Sequence, residues 1–152
     1  MKFSTRTFYG LKAVLVLASR FGEGSLSVSQ IAKKEGISVA YLEQILNALK
    51  KKGFVKSVRG PQGGYVLAKK PSETTLETLF YVLEDKKRFE LDPNQPHQNQ
   101  KDEIAIGNVI FWKTLQSSIE KGLSELTLKQ LIDEARRIQK GRPRSSSHTF
   151  NI

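Results

Sequence analysis

The sequence predicts a mainly α-helical protein that carries one small β-hairpin. Two observations predict this fold class. Apolar residues recur at helical spacing along most of the chain, and one pair of short β-rich runs flanks the glycine-rich stretch 60–64. The length of 152 residues and the hydrophobic fraction of 38% fit one domain, or a small domain with an appendage.

Charge is divided unevenly along the chain. Residues 1–70 contain 13 Lys and Arg against 3 acidic residues, whereas residues 71–152 contain 12 of each sign. The whole net charge of +10 therefore lies in the first half. This asymmetry predicts a half that binds a polyanion, joined to a neutral half. A basic surface that is merely solvated is the alternative interpretation.

Composition excludes several kinds of chemistry. The chain has no cysteine, and therefore no disulfide, thiol nucleophile or thiolate metal site, and it has only two histidines. No apolar run approaches the roughly 18–20 residues that cross a bilayer. The run 13–18 is also shorter than the roughly 7–15 apolar residues of a signal peptide. We therefore expect a cytoplasmic protein that is not an enzyme and does not associate with membranes.

Helical periodicity and capping residues predict the first three helices. Ser4 caps a helix with this apolar stripe: Phe8, Leu11, Leu15, Ala18 and Phe21. A capping box at 27–30 opens the second helix, and Gly36 ends it. Ser38 caps a third helix with its own stripe: Leu42, Ile45, Leu46 and Leu49. Helices joined by so tight a turn predict a helix–turn–helix over about 28–51.

The polar face of the third helix has the composition of a recognition surface. It consists of Ala40, Tyr41, Glu43, Gln44 and Asn47. Glutamine can make a bidentate contact with adenine, glutamate can accept from cytosine, and alanine can touch the thymine methyl group. Two alternatives stay open, because any surface helix exposes polar residues and because Tyr41 could simply pack on its helix.

The segment 54–68 predicts a β-hairpin wing directly after the helix–turn–helix. Its two β-rich runs are joined by the sequence GPQGG at 60–64. Arg59 lies at the predicted tip and Lys56 on the same ribbon, and an arginine at a hairpin tip suits the negative potential of a minor groove. A phosphate-binding loop for nucleotides is disfavoured, because the motif GxxxxGK[ST] is missing.

The neutral half predicts further helices. A capping box at 74–77 opens one helix, a polar loop covers 86–101, and a long helix begins at Asp102. Apolar residues cover more than one face of this long helix, so it needs a second partner surface. With a last helix capped at 127–130 it forms a predicted dimerisation element over 102–139, and the alternative is that the extra apolar face belongs to the core. Residues 140–152 are predicted to be a disordered basic tail.

The motifs together are specific enough to indicate a family. The runs SVAYLEQIL at 38–46, LKKKG at 49–53 and VRGPQGGYVLA at 58–68 closely resemble the Rrf2 family of bacterial transcription regulators, of the IscR, NsrR and CymR type. The resemblance extends to Glu84 and, more loosely, over 112–131. It implies a winged helix–turn–helix domain over 1–85 and a homodimer that binds partly palindromic double-stranded DNA, with a long helix crossing between subunits.

The resemblance also implies which residues perform these roles. Base-reading positions on the recognition helix would be Ser38, Ala40, Tyr41, Glu43 and Gln44. The wing would contribute Arg59, Gly60 and Pro61, with Lys56 on the ribbon. Phosphate contacts near the N-terminus would come from Lys2, Ser4 and Thr5. The dimerisation helix would use Val109, Trp112, Leu115 and Ile119.

One departure from the family concerns its cofactor. Many members bind an iron–sulfur cluster through three cysteines in the segment that corresponds to 86–107, and this chain has none. Asp92, His97, Asp102 and Glu103 are the candidate metal ligands that remain, and a polar loop is the preferred interpretation. We therefore expect no cofactor and no metal. Since one member without a cluster is controlled by an enzyme, a regulatory partner protein stays open. A winged-helix module that binds a protein, with only non-specific DNA binding, is the alternative function.

Overall fold

The computed structural model describes residues 3–85 and 102–141. Its helices are, in chain order, α1 (Thr5–Ser19), α2 (Val28–Glu35), α3 (Val39–Lys51), α4 (Leu76–Glu84), α5 (Glu103–Ser124) and α6 (Leu128–Gln139). The strands β1 (Val55–Val58) and β2 (Gly64–Leu67) form one antiparallel hairpin, and a short 3-10 helix covers Pro71–Glu73. The predicted fold class, mainly helical with a small hairpin, is confirmed. Lys2, the loop 86–101 and the tail from 142 lie outside the described residues.

Local sequence signals explain the helix–turn–helix. The hydroxyl groups of Ser4, Ser27 and Ser38 accept hydrogen bonds from backbone N–H groups of the first helical turns, as predicted. Gly36 ends α2 in the left-handed conformation with φ of +67°. The predicted stripe of α3 is buried to within 1% of complete: Leu42, Ile45, Leu46 and Leu49. The rotation of α3 about its axis is therefore fixed by its apolar face.

Helix α1 is buried on a face that differs from the predicted one. Phe8 and Phe21 were expected to point inward, but 62% and 46% of these residues are exposed. The buried residues of α1 are mostly small: Gly10, Ala13, Val14, Val16, Leu17 and Ala18. The reason is that α1 packs at the same time against α2, α3, α4, α6 and β2. Close approach on so many sides requires small side chains, and this leaves the large rings outside.

The hairpin is attached to the helical body by backbone contacts. The register pairs Val55 with Leu67 and Val58 with Gly64. The backbone of Tyr65 exchanges two hydrogen bonds with that of Leu26, of 2.8 and 3.0 Å. A Cβ atom on Gly64 would lie 2.1 Å from the Leu26 carbonyl oxygen, so this approach requires glycine. The segment that precedes α2 thus holds the hairpin on its β2 side, close to the turn.

Helix α4 begins one residue later than predicted. The sequence indicated Thr74 as its cap, but Thr75 is the N-cap residue and its hydroxyl accepts from the N–H of Thr78. Thr74 is buried, and its hydroxyl donates to the carbonyl oxygen of Lys70 at 3.3 Å. The preceding 3-10 helix, which the sequence did not reveal, uses Thr74 and shifts the cap by one position. Glu77 therefore does not occupy the third helical position, and the predicted capping box is wrong.

The last two helices differ in their relation to the core. Leu128 at the start of α6 is completely buried in the same cluster as the stripe of α3, whereas the sequence grouped α6 with α5 as a dimerisation element. Helix α5 contains no buried residue at all. Several of its apolar residues are exposed, each by between 37% and 77%: Ile104, Ile106, Ile110, Phe111 and Leu115. The interpretation that the extra apolar face of α5 belongs to the core of the chain is therefore wrong.

Candidate nucleic-acid interface

The outer face of α3 carries most of the predicted base-reading residues. Ser38, Ala40, Glu43 and Gln44 are exposed, on the side opposite the buried stripe. Ser38 also caps the helix, because its hydroxyl accepts from the N–H of Tyr41 at 3.3 Å. The short polar side chains thus project from the N-terminal half of a helix that cannot rotate, which is the geometry that a recognition helix needs.

Tyr41 has a packing role in addition to its position on this face. Its side chain is half-buried against the core, and its ring meets that of Tyr9 edge to face, with centroids 6.0 Å apart. The sequence left this packing role open, and the structure contains it. The contact ties the first turn of α3 to α1.

The predicted wing residues lie together at the tip of the hairpin. Arg59, Gly60 and Pro61 are exposed in the turn between β1 and β2, and Lys56 is exposed on β1. The turn is closed by a hydrogen bond of 2.9 Å from the N–H of Gly63 to the carbonyl oxygen of Gly60. The tip therefore has a defined shape and presents the arginine outward.

Two side-chain hydrogen bonds connect the wing to neighbouring parts of the chain. The Tyr65 hydroxyl donates to the side-chain oxygen of Asn47 at 3.3 Å, which joins the wing to the recognition helix. The hydroxyl of Ser25 donates to the backbone carbonyl of Gln62 in the turn. Sequence reasoning placed Asn47 on the polar face but missed its partner. No local pattern links residues 18 positions apart, so no sequence signal was available.

The predicted phosphate contacts near the N-terminus differ in whether their side chains already form hydrogen bonds within the protein. Thr5 is exposed. The Ser4 hydroxyl accepts from the N–H of Thr7 at 3.2 Å and donates to Glu84 Oε1 at 3.1 Å. The backbone N–H of Ser4 and the Thr7 hydroxyl also donate to that oxygen of Glu84. The structure therefore gives Ser4 a structural task, which fastens the start of α1 to the end of α4.

The positive charge of the first half is only slightly offset by its acidic residues. Glu23 pairs with Arg20 at 3.0 Å, and Glu35 pairs with Lys12 at 3.8 Å. Glu43, the third acid of residues 1–70, is exposed on the recognition face. The positive excess of this half is therefore carried by lysines and arginines on its surface, where a polyanion would meet them.

The predicted dimerisation residues do not form a single exposed face. Val109, Trp112 and Ile119 are half-buried, whereas Leu115 is 37% exposed. The most exposed apolar residues of α5 are others, notably Ile104 at 77% and Phe111 at 58%. Helix α5 packs on α4 and joins it through a hydrogen bond of 3.1 Å from the Tyr81 hydroxyl to Glu120. Sequence periodicity detects the apolar surplus but does not show which side α4 covers.

The described residues contain no group of three His, Cys, Asp or Glu side chains that could hold a metal ion. Of the metal candidates from the sequence, Asp102 caps α5 by accepting from the N–H of Ala105 at 2.8 Å. Asp92 and His97 lie outside the described part of the chain. Across residues 3–85 and 102–141, no helix combines the length and the apolar character that a membrane span requires.

Comparison with known proteins finds close similarity over most of the chain. Residues 3–134 match the profile of the Rrf2 family, described as "Iron-dependent Transcriptional regulator". The HTH-type transcriptional regulator CymR of Bacillus subtilis is 35% identical over 131 residues, which cover 86% of this chain and 89% of CymR. The putative HTH-type transcriptional regulator slr0846 of Synechocystis is 34% identical, and the match covers 90% of each chain.

Solved structures show the same architecture. The IscR structure from T. potens superposes with a TM-score of 0.73 at 36% identity, covering 91% of both chains. The structure of CymR, the global cysteine regulator of B. subtilis, gives a TM-score of 0.72 at 33% identity and covers 88% of this chain and 98% of that one. Both matches cover at least 88% of this chain.

The family description names iron, and this chain lacks the thiolate ligands of an iron–sulfur cluster. A cluster held by thiolates needs cysteines, and the whole sequence has none. The residues present therefore do not fit a cluster bound in that manner. The shared fold, the matched motifs and the extent of the match nevertheless agree, and the chain belongs to the Rrf2 family, whose members are transcriptional regulators and not enzymes.

Proposed function

We propose that this protein regulates transcription by binding double-stranded DNA at a specific sequence, as a homodimer on a partly palindromic operator. The observation that carries the proposal is the state of α3. One face of this helix is completely buried, and the opposite face presents short polar side chains beside an exposed arginine at the wing tip. Such an assembly of helix and wing holds base-reading groups in a fixed relative position.

In the proposed complex, α3 enters the major groove. Gln44 makes a bidentate contact with adenine, Glu43 accepts from cytosine, and Ala40 contacts a thymine methyl group. Ser38 and Tyr41 complete the contact at the N-terminal end of the helix. This helix would supply the choice of sequence.

The wing and the N-terminus have different tasks in the same complex. Arg59, next to Gly60 and Pro61, enters the adjacent minor groove, where the negative potential is strongest when the groove is narrow. Lys56 and Thr5, with Lys2, contact phosphates. Phosphate contacts of this kind supply much of the affinity and little of the specificity.

The homodimer is supported by the exposed apolar side of α5. Ile104, Phe111 and Leu115 lie on one side of the helix at intervals of seven and four residues, which is the spacing of a helix–helix seam. Exposed apolar residues on this scale usually mark an interface. A two-fold dimer places two recognition helices on half-sites about one helical turn apart, roughly 34 Å, or a multiple of that distance. This function also places the protein with the DNA, in the bacterial cytoplasm.

The proposal is tested by selecting bound duplexes from a random pool with the full chain. We expect enriched sequences to share a partly palindromic site. With Gln44→Ala, we expect base preference to be lost at one position in each half-site, because a bidentate contact contributes about 1–3 kcal/mol of discrimination. The control is Gln139→Ala, which removes an exposed glutamine from the end of α6.

Two outcomes would contradict the proposal. If no sequence is enriched and DNA is bound weakly at every site, the protein is better explained as a winged-helix module that binds another protein. If Gln44→Ala weakens binding equally for all sequences, the proposed base-reading role of Gln44 is wrong.

A further inference from the structure

A groove with an apolar floor lies between α1 and α6, on a part of the molecule that the proposed DNA interface does not use. Its volume is about 640 Å³, within the range of small-molecule sites. The floor is formed by Leu15 and Val16 of α1 and by Leu131, Ile132 and Ala135 of α6. The last residues of α2, Lys34 and Glu35, also line the groove.

The rim of the groove is positively charged. Lys12, Lys34 and Arg136 line it together with one acid, Glu35, which is already paired with Lys12 at 3.8 Å. Among the described residues, neither Lys34 nor Arg136 forms an ion pair. Each would gain a counterion from an anionic ligand. The apolar floor and cationic rim complement a molecule that is apolar along its body and negatively charged at its head.

Arg136 is the rim residue best suited to hold the charged head. Its Nη2 atom donates to the backbone carbonyl of Ser19 at 2.9 Å, so the guanidinium group is anchored across the groove to α1. A guanidinium group has five N–H donors in a planar fork and binds carboxylates in a bidentate manner. The hydrogen bond to Ser19 uses one side of the fork and reduces the freedom that the side chain would lose on binding.

We propose that this groove binds a small amphipathic carboxylate, with its apolar body on the floor between α1 and α6 and its carboxylate at Arg136. The groove extends along α1 from Lys12 to Ser19, seven residues or about 10 Å at 1.5 Å per residue. A single alkyl chain of medium length covers that distance. A cationic amphiphile of the same length would be repelled by the rim.

The position of the site connects ligand binding to regulation, a step that rests on the proposed function. Helix α2 leads through the tight turn at Gly36 into the recognition helix. A ligand in the groove contacts the end of α2, α1 and α6 at once, and so it favours one arrangement of these helices. The chain has no cysteine to sense a signal, and this groove supplies a site at which a metabolite acts instead.

The test is a calorimetric titration of the full chain with sodium decanoate below its aggregation concentration. Decyltrimethylammonium, which has an alkyl chain of nearly the same length with a cationic head, is titrated in parallel. The variants are Arg136→Gln, which removes the head contact, and Ala135→Trp, which fills the groove from an exposed position. Lys51→Gln is the control, because it removes one positive charge at the end of α3, away from the groove. Circular dichroism verifies that each variant is folded.

We expect saturable binding of decanoate and none of the cationic amphiphile. Arg136→Gln should weaken the binding of decanoate roughly tenfold, Ala135→Trp should abolish it, and Lys51→Gln should leave it within about twofold. Equal binding of both amphiphiles, or a folded Ala135→Trp variant that binds normally, would overturn the site.

The regulatory step has a separate measurement. We expect decanoate to change the affinity of the wild-type chain for its selected operator at least threefold and to leave that of Ala135→Trp unchanged. Binding of decanoate with no change in operator affinity would overturn the regulatory step. If the chain selects no operator, the DNA-binding proposal fails, while the titration without DNA still decides whether the groove binds a carboxylate.

Discussion

Arg59 is the residue that distinguishes most directly between the proposed DNA-binding function and the alternative, a winged-helix module that binds a protein. It is exposed at the tip of the hairpin, and it forms no ion pair within the described part of the chain. An arginine in that condition contributes little to folding, so its contribution to binding can be measured separately. A wing that enters a minor groove needs a cation at its tip, whereas a wing that only binds a protein does not.

We predict that Arg59→Ala weakens operator binding by about 1–3 kcal/mol and leaves the stability of the fold unchanged. Fluorescence anisotropy titration with a labelled operator measures the first quantity, and urea unfolding measures the second. Lys140→Ala removes one positive charge from an exposed position just after α6 and is the control. Equal losses for the two variants would mean that only net charge matters.

At the scale of single residues, the sequence predicts identity and exposure better than partners. Gln44, Glu43 and Ala40 could be placed on the outer face because the buried stripe of α3 repeats at the helical period. The bond between Tyr65 and Asn47 could not be predicted, since it depends on how the hairpin folds back on α3.

Helix α1 shows how packing of a whole element can override its apparent pattern. Its apolar residues are distributed around most of its circumference, and the larger ones suggested a stripe through Phe8 and Phe21. The structure buries the side with small residues, because α1 is surrounded by other elements. Helix α3 also meets several elements, but one of its faces is exposed to solvent, so its polar residues mark that face and periodicity identifies the buried one. The predicted cap of α4 was wrong for another reason. Thr74 and Thr75 are adjacent and both are good capping residues, so the sequence alone does not show which of them caps the helix.

The tight packing of Leu83 against Gly10 of α1 leads to a prediction about stability. A Cβ atom on Gly10 would lie 2.2 Å from Leu83 Cδ2 in the core, so Gly10→Ala should destabilise the fold by about 1–3 kcal/mol. Gly107 in α5 has no atom within 4 Å of the equivalent position, so Gly107→Ala should instead stabilise the helix by about 0.5–1 kcal/mol. Urea unfolding compares the two variants, and changes of the same sign would refute this explanation.

At the scale of the whole molecule, α5 and α6 differ in whether their apolar residues reach the core. The sequence predicted both as dimerisation helices, but α6 returns to the core through Leu128 while α5 leaves its apolar residues outside. This division could not be read from periodicity, because the spacing of apolar residues does not show whether an apolar face meets the core of the same chain or a second copy. The boundaries predicted at 86–101 and 140–152 stay predictions, since they lie largely outside the described residues.

We predict that Phe111→Glu converts the proposed dimer to a single chain, because it places a charge on the exposed apolar side of α5. Sedimentation velocity at micromolar concentration should show half the mass, and operator binding should become much weaker. The control is Phe21→Glu, which alters an exposed phenylalanine outside α5. A protein that is already a single chain before substitution would contradict the homodimer itself.

The starts of α4 and α6 are joined to each other directly. Their cap residues, Thr75 and Thr127, form an antiparallel bridge. The flanking backbone bonds, from Leu76 to Leu126 and from Leu128 to Thr74, are 2.8 and 3.0 Å long. Since α5 ends just before this bridge and the hairpin lies just before α4, the bridge connects the proposed dimerisation helix to the proposed DNA-binding wing. We expect its backbone hydrogen bonds to make this connection rigid.

Two copies joined through such rigid connections would hold their two recognition helices at a fixed spacing and a fixed relative orientation. One inserted base pair turns one half-site relative to the other by about 35°, since B-DNA has 10–10.5 base pairs per turn. A flexible connection would follow that rotation, whereas this one would not. We therefore expect an operator lengthened by one base pair at its centre to bind hardly better than random DNA in an anisotropy titration, although every base that the protein contacts is retained. Unchanged affinity would show that the joint yields.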